Sequence, residues 1–341
     1  MLTAPFPYFG GKRKIAAEVW AHFGVVRCYV EPFFGSGAVL LGRPHVEGIE
    51  TVNDKDGMVA NFWRAIKLSP DATAEWADNP VNENDLHARH AWLVARKDSL
   101  APSLEGDPDW HDPKIAGWWA WGMSCWIGSG FCSGNGPWWP NDAGQLVHLG
   151  DVGQGVNRKR VHLGNAGQGV NRQRAEDIQD WFRALSDRLA RVRVCSGDWS
   201  RVCGPSVTFK HGLTAVFLDP PYADTAGRQD ALYREDDLSV AHDVRKWAIE
   251  AGKRADMRVA LCGYEGEHEM PDDWEVQEWN AGEGFGGQAE ERTGNGKRER
   301  VWYSPACRRV AKQSGLDFGA PVDADAAALT SAGGRSTVGR P

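Results

Sequence analysis

Residues 216–222 read Val-Phe-Leu-Asp-Pro-Pro-Tyr, and this stretch decides the fold. The apolar run 215–218 has the length and composition of a buried parallel strand. The two prolines lack the backbone N–H that a sheet ladder requires, so the strand must end at Asp219. Ligands of open α/β sheets bind at the carboxyl ends of the strands, and this strand end is therefore a candidate ligand site.

The residues at this strand end offer hydrogen-bond acceptors beside an aromatic ring. Asp219 contributes a carboxylate and Pro220 a carbonyl, and the proline rings stiffen the backbone that holds them. Tyr222 adds a flat face. The arrangement suits a planar substrate that carries an amino group. The alternative is a strand end with a solvent-facing Asp, and the upstream motifs favour the ligand site over it.

Size and composition indicate a globular protein without a membrane span. The chain has 341 residues, of which 42% are hydrophobic and 25% charged, as in ordinary soluble proteins. It contains no run of about 18 apolar residues and no signal-peptide pattern at its start. Seven scattered cysteines favour reduced thiols and a cytoplasmic location, and their spacing predicts no metal site. The net charge of -7 argues against a nucleic-acid partner unless positive charge is concentrated locally.

The first quarter of the chain has the pattern of a nucleotide-binding βαβ unit. A predicted strand at 28–30 enters the loop Glu31-Pro32-Phe33-Phe34-Gly35-Ser36-Gly37, and a second strand, 49–52, closes on Asn53-Asp54. Glycines in such a loop let the backbone approach a ligand, and an acid after the second strand can hold ribose hydroxyls. Leu40 stands where a dinucleotide fingerprint has its third glycine. An adenosyl ligand without phosphates is therefore favoured over a dinucleotide.

The alternation of predicted strands and helices resumes after a long interruption. Residues 70–175 break the strand–helix pattern, with one helical stretch at 86–100, and residues 307–341 are predicted to be a disordered tail. Periodicity predicts helices at 15–23, 59–67, 178–189 and 239–253, and strands at 192–194, 259–262, 275–279 and 299–303.

The interruption contains an aromatic block. Seven of the 17 tryptophans lie between Trp110 and Trp139. Tryptophans at this density form either a compact core or a stacking surface. We favour a core with a few exposed rings.

A basic repeat follows the aromatic block. The stretch 148–160 is echoed at 162–174, and both copies are rich in glycine. Because this is the one clearly basic stretch of an acidic chain, we favour DNA contact over a solvated duplicated loop. The candidate contacts are arginines for phosphates and asparagines for base edges, namely Arg158, Arg160, Arg172, Arg174, Asn157 and Asn171.

Three motifs stand in one order along the chain. They are Tyr8-Phe9-Gly10-Gly11-Lys12, the glycine loop 31–37, and Asp219-Pro220-Pro221-Tyr222. This order resembles the Dam-type (alpha group) adenine-N6 DNA methyltransferases, over residues 5–67 and 190–305. The resemblance implies an α/β, Rossmann-like fold that uses S-adenosylmethionine. Residues 1–69 and 176–306 would form the catalytic domain, and 70–175 an inserted target-recognition region that matches the family only in position.

The resemblance also implies roles for the matching residues. Tyr8 stands where relatives often have Trp, Asp54 would bind the ribose hydroxyls, and Asp198 would reach the adenine of the cofactor. The full set of implied cofactor contacts is Tyr8, Lys12, Glu31, Phe33, Gly35, Gly37, Asp54, Asp198 and Asp219. The implied catalytic set is Asp219, Pro220 and Tyr222.

The implied reaction is methylation of a flipped-out adenine in double-stranded DNA, with no metal, no membrane and no obligate protein partner. Cytosine-N4 methyltransferases more often carry Ser in place of the first Asp, and relatives that act on RNA or on protein glutamine usually carry Asn. A DNA-binding protein with a decayed catalytic site is a further alternative, against which the intact Asp219 and Tyr222 speak. An NAD-dependent oxidoreductase is the alternative at the level of the fold, and the missing third glycine weakens it.

Overall fold

A mixed seven-stranded sheet forms the centre of the part of the chain that the structure describes. The structure is a computed structural model and describes residues 2–8, 12–45, 47–107, 109–126, 131–132, 138–140, 146–148, 173–221, 240–279 and 299–309. Its strands, in chain order, are β1 (Cys28–Glu31), β2 (Ile49–Asp54), β3 (Trp138–Pro140), β4 (Leu146–His148), β5 (Val192–Ser196), β6 (Thr214–Leu218), β7 (Met257–Tyr264), β8 (Glu275–Glu278) and β9 (Glu299–Tyr303). Strands β3 and β4 pair as a separate antiparallel hairpin.

The strand order of the main sheet is β5-β2-β1-β6-β7-β9-β8. Strands β5, β2, β1, β6 and β7 are parallel, whereas β9 runs antiparallel to β7 and β8. The chain moves outward from β1 through β2 to β5 and then returns to place β6 on the other side of β1. This reversal is the topological switch point of a Rossmann-like sheet, where ligands bind at the carboxyl ends of the strands. The predicted fold class is thereby confirmed.

The acids predicted to follow the strands lie at this edge of the sheet. Glu31 and Asp54 are the last residues of β1 and β2, and Asp219 follows β6 directly. Because β9 is antiparallel, its first residue, Glu299, lies at the same edge. The edge therefore collects four carboxylates from four strands.

Helices flank the sheet. They are α1 (Ala16–Phe23), α2 (Ala38–Leu41), α3 (Gly57–Leu68), α4 (Pro70–Ala77), α5 (Glu83–Val94), α6 (Lys97–Gly106), α7 (Pro113–Cys125), α8 (Gln173–Leu189) and α9 (Val240–Gly252). Helix α3 starts two residues before its predicted start because Asp56 caps it, accepting a hydrogen bond from the Met58 N–H at 2.7 Å. No helix in the described part of the chain is long and apolar enough to cross a bilayer.

The predicted helix at 86–100 is two helices, α5 and α6. The chain turns at residues 95–96. The turn lets Leu93 of α5 and Leu100 of α6 enter the same apolar core, and both are buried. Periodicity predicted the apolar positions correctly and missed the turn between them.

The described tryptophans of the aromatic block confirm the core interpretation. Trp119 and Trp121 of α7 are buried, and Trp126 is 7% exposed. The Trp119 ring packs against Phe6 and Phe62, with centroids 4.7 and 5.8 Å apart. Helices α4 and α7 thus share one hydrophobic core with α3. The assignment of 70–175 to target recognition stays a prediction.

The end of the described chain corrects one boundary. The tail was predicted to begin at residue 307, but Cys307 is buried and the Arg308 N–H donates to the His22 carbonyl at 2.8 Å. This segment packs on α1, so the boundary was placed too early. Residues 310–341 lie outside the described residues.

Candidate functional site

The glycine loop between β1 and α2 needs glycine at two positions. Gly35 and Gly37 have φ of 46° and 63°, in the left-handed region that side chains with a Cβ rarely adopt. A Cβ on Gly35 would lie 2.6 Å from Cε1 of Tyr8, and one on Gly37 would lie 2.7 Å from Cζ of Phe34. The loop therefore brings Tyr8 of the first motif against Gly35 of the second.

Asp54 holds this loop from the end of β2. Its Oδ2 accepts a hydrogen bond from the Gly35 N–H at 2.8 Å, and its Oδ1 accepts one from the Asp56 N–H at 2.9 Å. On the other side, the Trp63 indole N–H donates to the Gly35 carbonyl at 2.8 Å. The carboxylate that sequence analysis assigned to a ribose thus also fixes the loop backbone.

Glu31 is buried beneath the loop. It is 2% exposed, and its Oε2 accepts a hydrogen bond from the Tyr29 hydroxyl at 2.8 Å. Burial raises the pKa of Glu31 to about 8, and the negative charges of Asp219 and Asp54 add to that shift. Burial therefore favours the protonated form of Glu31.

Phe33 and Asp198 lie on neighbouring loops of the same edge. The Phe33 ring stacks on Trp199 with centroids 6.4 Å apart. Asp198 is exposed and caps the short helix that follows β5, accepting a hydrogen bond from the Ser200 N–H at 3.0 Å. Phe33 follows β1 and Asp198 follows β5, so both lie at the carboxyl-end edge of the sheet.

Asp219 is paired with Lys12 of the first motif. The Lys12 Nζ lies 3.0 Å from Oδ2 of Asp219, and the two side chains are 4% and 19% exposed. Burial raises the pKa of Asp219, while the Lys12 ammonium and a hydrogen bond from the Cys262 thiol oppose that shift. Cys262 is adjacent because β7 runs beside β6, with Leu261 paired to Leu218. Lys12 therefore pairs with Asp219, the carboxylate that was predicted to be catalytic.

Glu299 is a second carboxylate near Lys12, and it was not among the predicted site residues. Its Oε2 lies 3.7 Å from the Lys12 Nζ, and its side chain is 5% exposed. Trp279, just before the undescribed segment 280–298, presents its ring 5.5 Å from the same Nζ. An acid at the start of the apolar strand 299–303 was a possible signal, but only the antiparallel course of β9 brings it to this edge.

Several predicted site residues are not described. Tyr222, Asn157, Arg158, Arg160, Asn171 and Arg172 lie outside the described residues. Arg174 belongs to α8 by its backbone, and its side chain is not described. Their roles stay predictions.

One comparison with known proteins finds a match. Residues 8–99 match the family model of the D12 class N6 adenine-specific DNA methyltransferases. This match covers the glycine loop, Asp54 and helices α3 to α5. No curated protein matches the chain. The family match confirms the resemblance to the Dam-type enzymes, and it gives no support to cytosine methylation, to a decayed DNA-binding protein or to an oxidoreductase. Methyltransferases of this kind use S-adenosylmethionine in general, and their substrate is DNA.

Proposed function

We propose that this chain is an adenine-specific DNA methyltransferase, which the match of residues 8–99 to the D12 class supports. In this proposal, Asp219 and Pro220 hold the N6 amine of a flipped-out adenine beside a methyl donor in the glycine loop. The proposal rests mainly on the ion pair between Lys12 and Asp219, whose Nζ and Oδ2 atoms lie 3.0 Å apart. The pair brings the motif of residues 8–12 against the Asp-Pro-Pro-Tyr motif at the switch point of the sheet. This pair joins the candidate cofactor loop to the candidate catalytic strand.

The glycine loop fits S-adenosylmethionine. Two left-handed glycines bring the loop backbone against the rings of Tyr8 and Phe34, and the loop lies at the sheet edge where such ligands bind. Contacts near the loop would come from Tyr8, Glu31, Gly35 and Gly37, and Asp54 would accept from the ribose hydroxyls. The other contacts would come from Phe33, Asp198, Lys12 and Asp219. When bound, the cofactor supplies an electrophilic methyl group.

Asp219 and Pro220 would activate the adenine amine by orienting it. The lone pair of this amine is delocalised into the ring, which makes it a poor nucleophile. If the Asp219 carboxylate and the Pro220 carbonyl each accept one N–H, the nitrogen can become pyramidal and its lone pair can point at the methyl group. This is alignment combined with fixed electrostatics. Tyr222 would stack on the base, which contributes about 1–3 kcal/mol.

The charge state of Asp219 matters for this role, because an ionised carboxylate accepts hydrogen bonds better than a protonated one. Burial raises its pKa, which favours the protonated form. The Lys12 ammonium at 3.0 Å favours the ionised form. We infer that Lys12 keeps Asp219 ionised while water is excluded from the site.

The adenine must leave the duplex to reach these groups, because a paired base cannot enter a buried pocket. We assign the contacts with double-stranded DNA to the inserted region 70–175. Its basic repeat would neutralise phosphates through Arg158, Arg160, Arg172 and Arg174, and Asn157 and Asn171 would reach base edges.

Transfer of a labelled methyl group from S-adenosylmethionine to unmethylated DNA, followed by nucleoside analysis, tests the proposed function. We expect labelled N6-methyladenine. Labelled N4-methylcytosine would contradict the base assignment, and absence of transfer with the cofactor still bound would contradict the DNA substrate.

Gly35→Ala is expected to weaken S-adenosylmethionine binding about tenfold or more. The left-handed backbone costs about 1–2 kcal/mol for a residue with a Cβ, and the new methyl group would press on Tyr8. Titration calorimetry measures the change. Gly106→Ala is a matched control, because a Cβ at Gly106 meets nothing within 4 Å. Equal affinity in Gly35→Ala and wild type would remove the loop from the cofactor site.

Replacing Arg158 and Arg172 together with Ala is expected to weaken DNA binding and to flatten its salt dependence. Each lost phosphate contact lowers the slope of log K against log salt by about 0.9, so the pair should lower it by about 1.8. Lys253→Ala with Arg254→Ala is the control, because both precede β7 at the opposite edge of the sheet. An unchanged slope in the Arg158 and Arg172 variant would show that the repeat does not touch phosphate.

A further inference from the structure

Glu299 provides a second carboxylate that can hold the Lys12 ammonium in position. It is the first residue of β9, and its carboxylate is nearly as buried as the Lys12 side chain, at 5% and 4% exposed. The Lys12 ammonium therefore lies between Asp219 at 3.0 Å and Glu299 at 3.7 Å. The Trp279 ring adds an aromatic face 5.5 Å away.

A lysine held by one carboxylate alone would be poorly fixed. Its ammonium ends a flexible four-carbon stem and has no preferred fork geometry. A second carboxylate at 3.7 Å restricts the ammonium to positions near both acids. Because a buried charge is stabilised only when it is well paired, this restriction also favours keeping the charge inside the protein.

We propose that Glu299 is a positioning residue for methyl transfer, which fixes the Lys12 ammonium and through it the Asp219 carboxylate. This inference rests on the proposed function, because it assigns Glu299 to the same reaction. Glu299 has no assigned contact with the adenine or the cofactor. It positions Lys12 by its ion pair, and separately its negative charge offsets part of the field of the ammonium at Asp219.

The charged and titratable groups around Asp219 come from several elements. Lys12 faces it from the segment before α1, Cys262 from β7 and Glu31 from β1, and Glu299 reaches it through Lys12. Removing the charge of Glu299 leaves the field of Lys12 less offset, so the pKa of Asp219 should fall. Removing the charge of Lys12 should raise that pKa. A role in packing alone predicts neither shift.

The test compares Glu299→Gln, Lys12→Met and wild type by kcat, by KM for the cofactor and by the titration of Asp219. The titration is followed through the carboxyl ¹³C signal of labelled aspartate, assigned with Asp219→Asn. We expect Glu299→Gln to lower kcat roughly tenfold, with the KM for the cofactor changed less than twofold. We also expect the Asp219 midpoint to move to lower pH in Glu299→Gln and to higher pH in Lys12→Met. Glu299→Asp should restore part of kcat.

Glu278→Gln is the matched control, because Glu278 is 79% exposed on the neighbouring strand β8. It should leave kcat and the Asp219 midpoint unchanged. Wild-type kcat and midpoint in Glu299→Gln, or shifts of the same sign in both variants, would overturn the proposal. If the wild type transfers no methyl group, the proposed function fails, whereas the opposite midpoint shifts would still show that the charges of Glu299 and Lys12 both act on Asp219. Their absence would overturn that electrostatic coupling as well.

Discussion

Asp219→Ala is expected to abolish measurable methyl transfer, lowering kcat by about 10³-fold or more, while cofactor binding survives at least in part. Removal of one fixed electrostatic partner of a reacting group typically costs about 10²–10³ in kcat. Here the variant also removes an alignment contact and leaves the Lys12 ammonium beside the amine that must become a nucleophile. The cradle at Gly35 and Gly37 does not involve Asp219 in its backbone geometry, so the cofactor should still bind.

Single-turnover transfer and titration calorimetry separate the two effects. Asp219→Asn keeps the side-chain shape and removes the charge, and we expect it to lose most of the rate as well. Asp256→Ala is the control, because Asp256 lies just before β7 at the opposite edge of the sheet. Turnover of Asp219→Ala within tenfold of wild type would falsify the role that we propose for this carboxylate.

The sequence was sufficient to predict the carboxyl-end edge of the sheet. Local signals mark each part of it: an apolar run that stops at two prolines before Tyr222, a glycine loop after a strand, and an acid after the next strand. Each of these signals lies within a few residues of the group that it predicts. The strands that end in Glu31, Asp54 and Leu218 were therefore located correctly, and the family match at residues 8–99 covers the first two of them.

The partners of Lys12 could not be predicted in the same way. Their meeting depends on the strand order, because β7 runs beside β6 and β9 runs antiparallel beside β7. Glu299 reaches the site only through that antiparallel course. A contact between residues far apart in the chain has no periodicity that a sequence pattern can reveal. For the same reason, Lys12 was predicted as a cofactor contact without its ion pair to Asp219.

A buried ion network lies at the opposite edge of the sheet. Glu50, near the start of β2, accepts hydrogen bonds from Arg43 at 2.8 Å and from two nitrogens of Arg188 at 2.7 and 2.8 Å. The side chains of Glu50, Arg43 and Arg188 are 3%, 1% and 12% exposed. The network thereby links β2 to the segment after α2 and to α8, the helix that follows the predicted recognition region.

Glu50→Ala is expected to lower the free energy of unfolding by about 3–5 kcal/mol, the usual cost of breaking a buried ion pair from one side. Both guanidinium groups would lose their carboxylate and stay buried. Urea denaturation measures the change, and Asp71→Ala is the matched control. Asp71 pairs with Arg183 at 2.7 Å, but both side chains are more than half exposed, so that loss should be much smaller than the loss in Glu50→Ala. A loss below 1 kcal/mol in Glu50→Ala would mean that water replaces the carboxylate.

The same variant separates stability from catalysis. Glu50 lies near the amino end of β2, whereas Asp54 holds the Gly35 loop from the carboxyl end of the same strand. Glu50 pairs with Arg43 and Arg188, whereas Lys12 pairs with Asp219 and Glu299. At a temperature where Glu50→Ala is still folded, turnover per folded molecule should therefore match wild type. A loss of turnover there, with cofactor affinity unchanged, would show that the two edges of the sheet are coupled through β2.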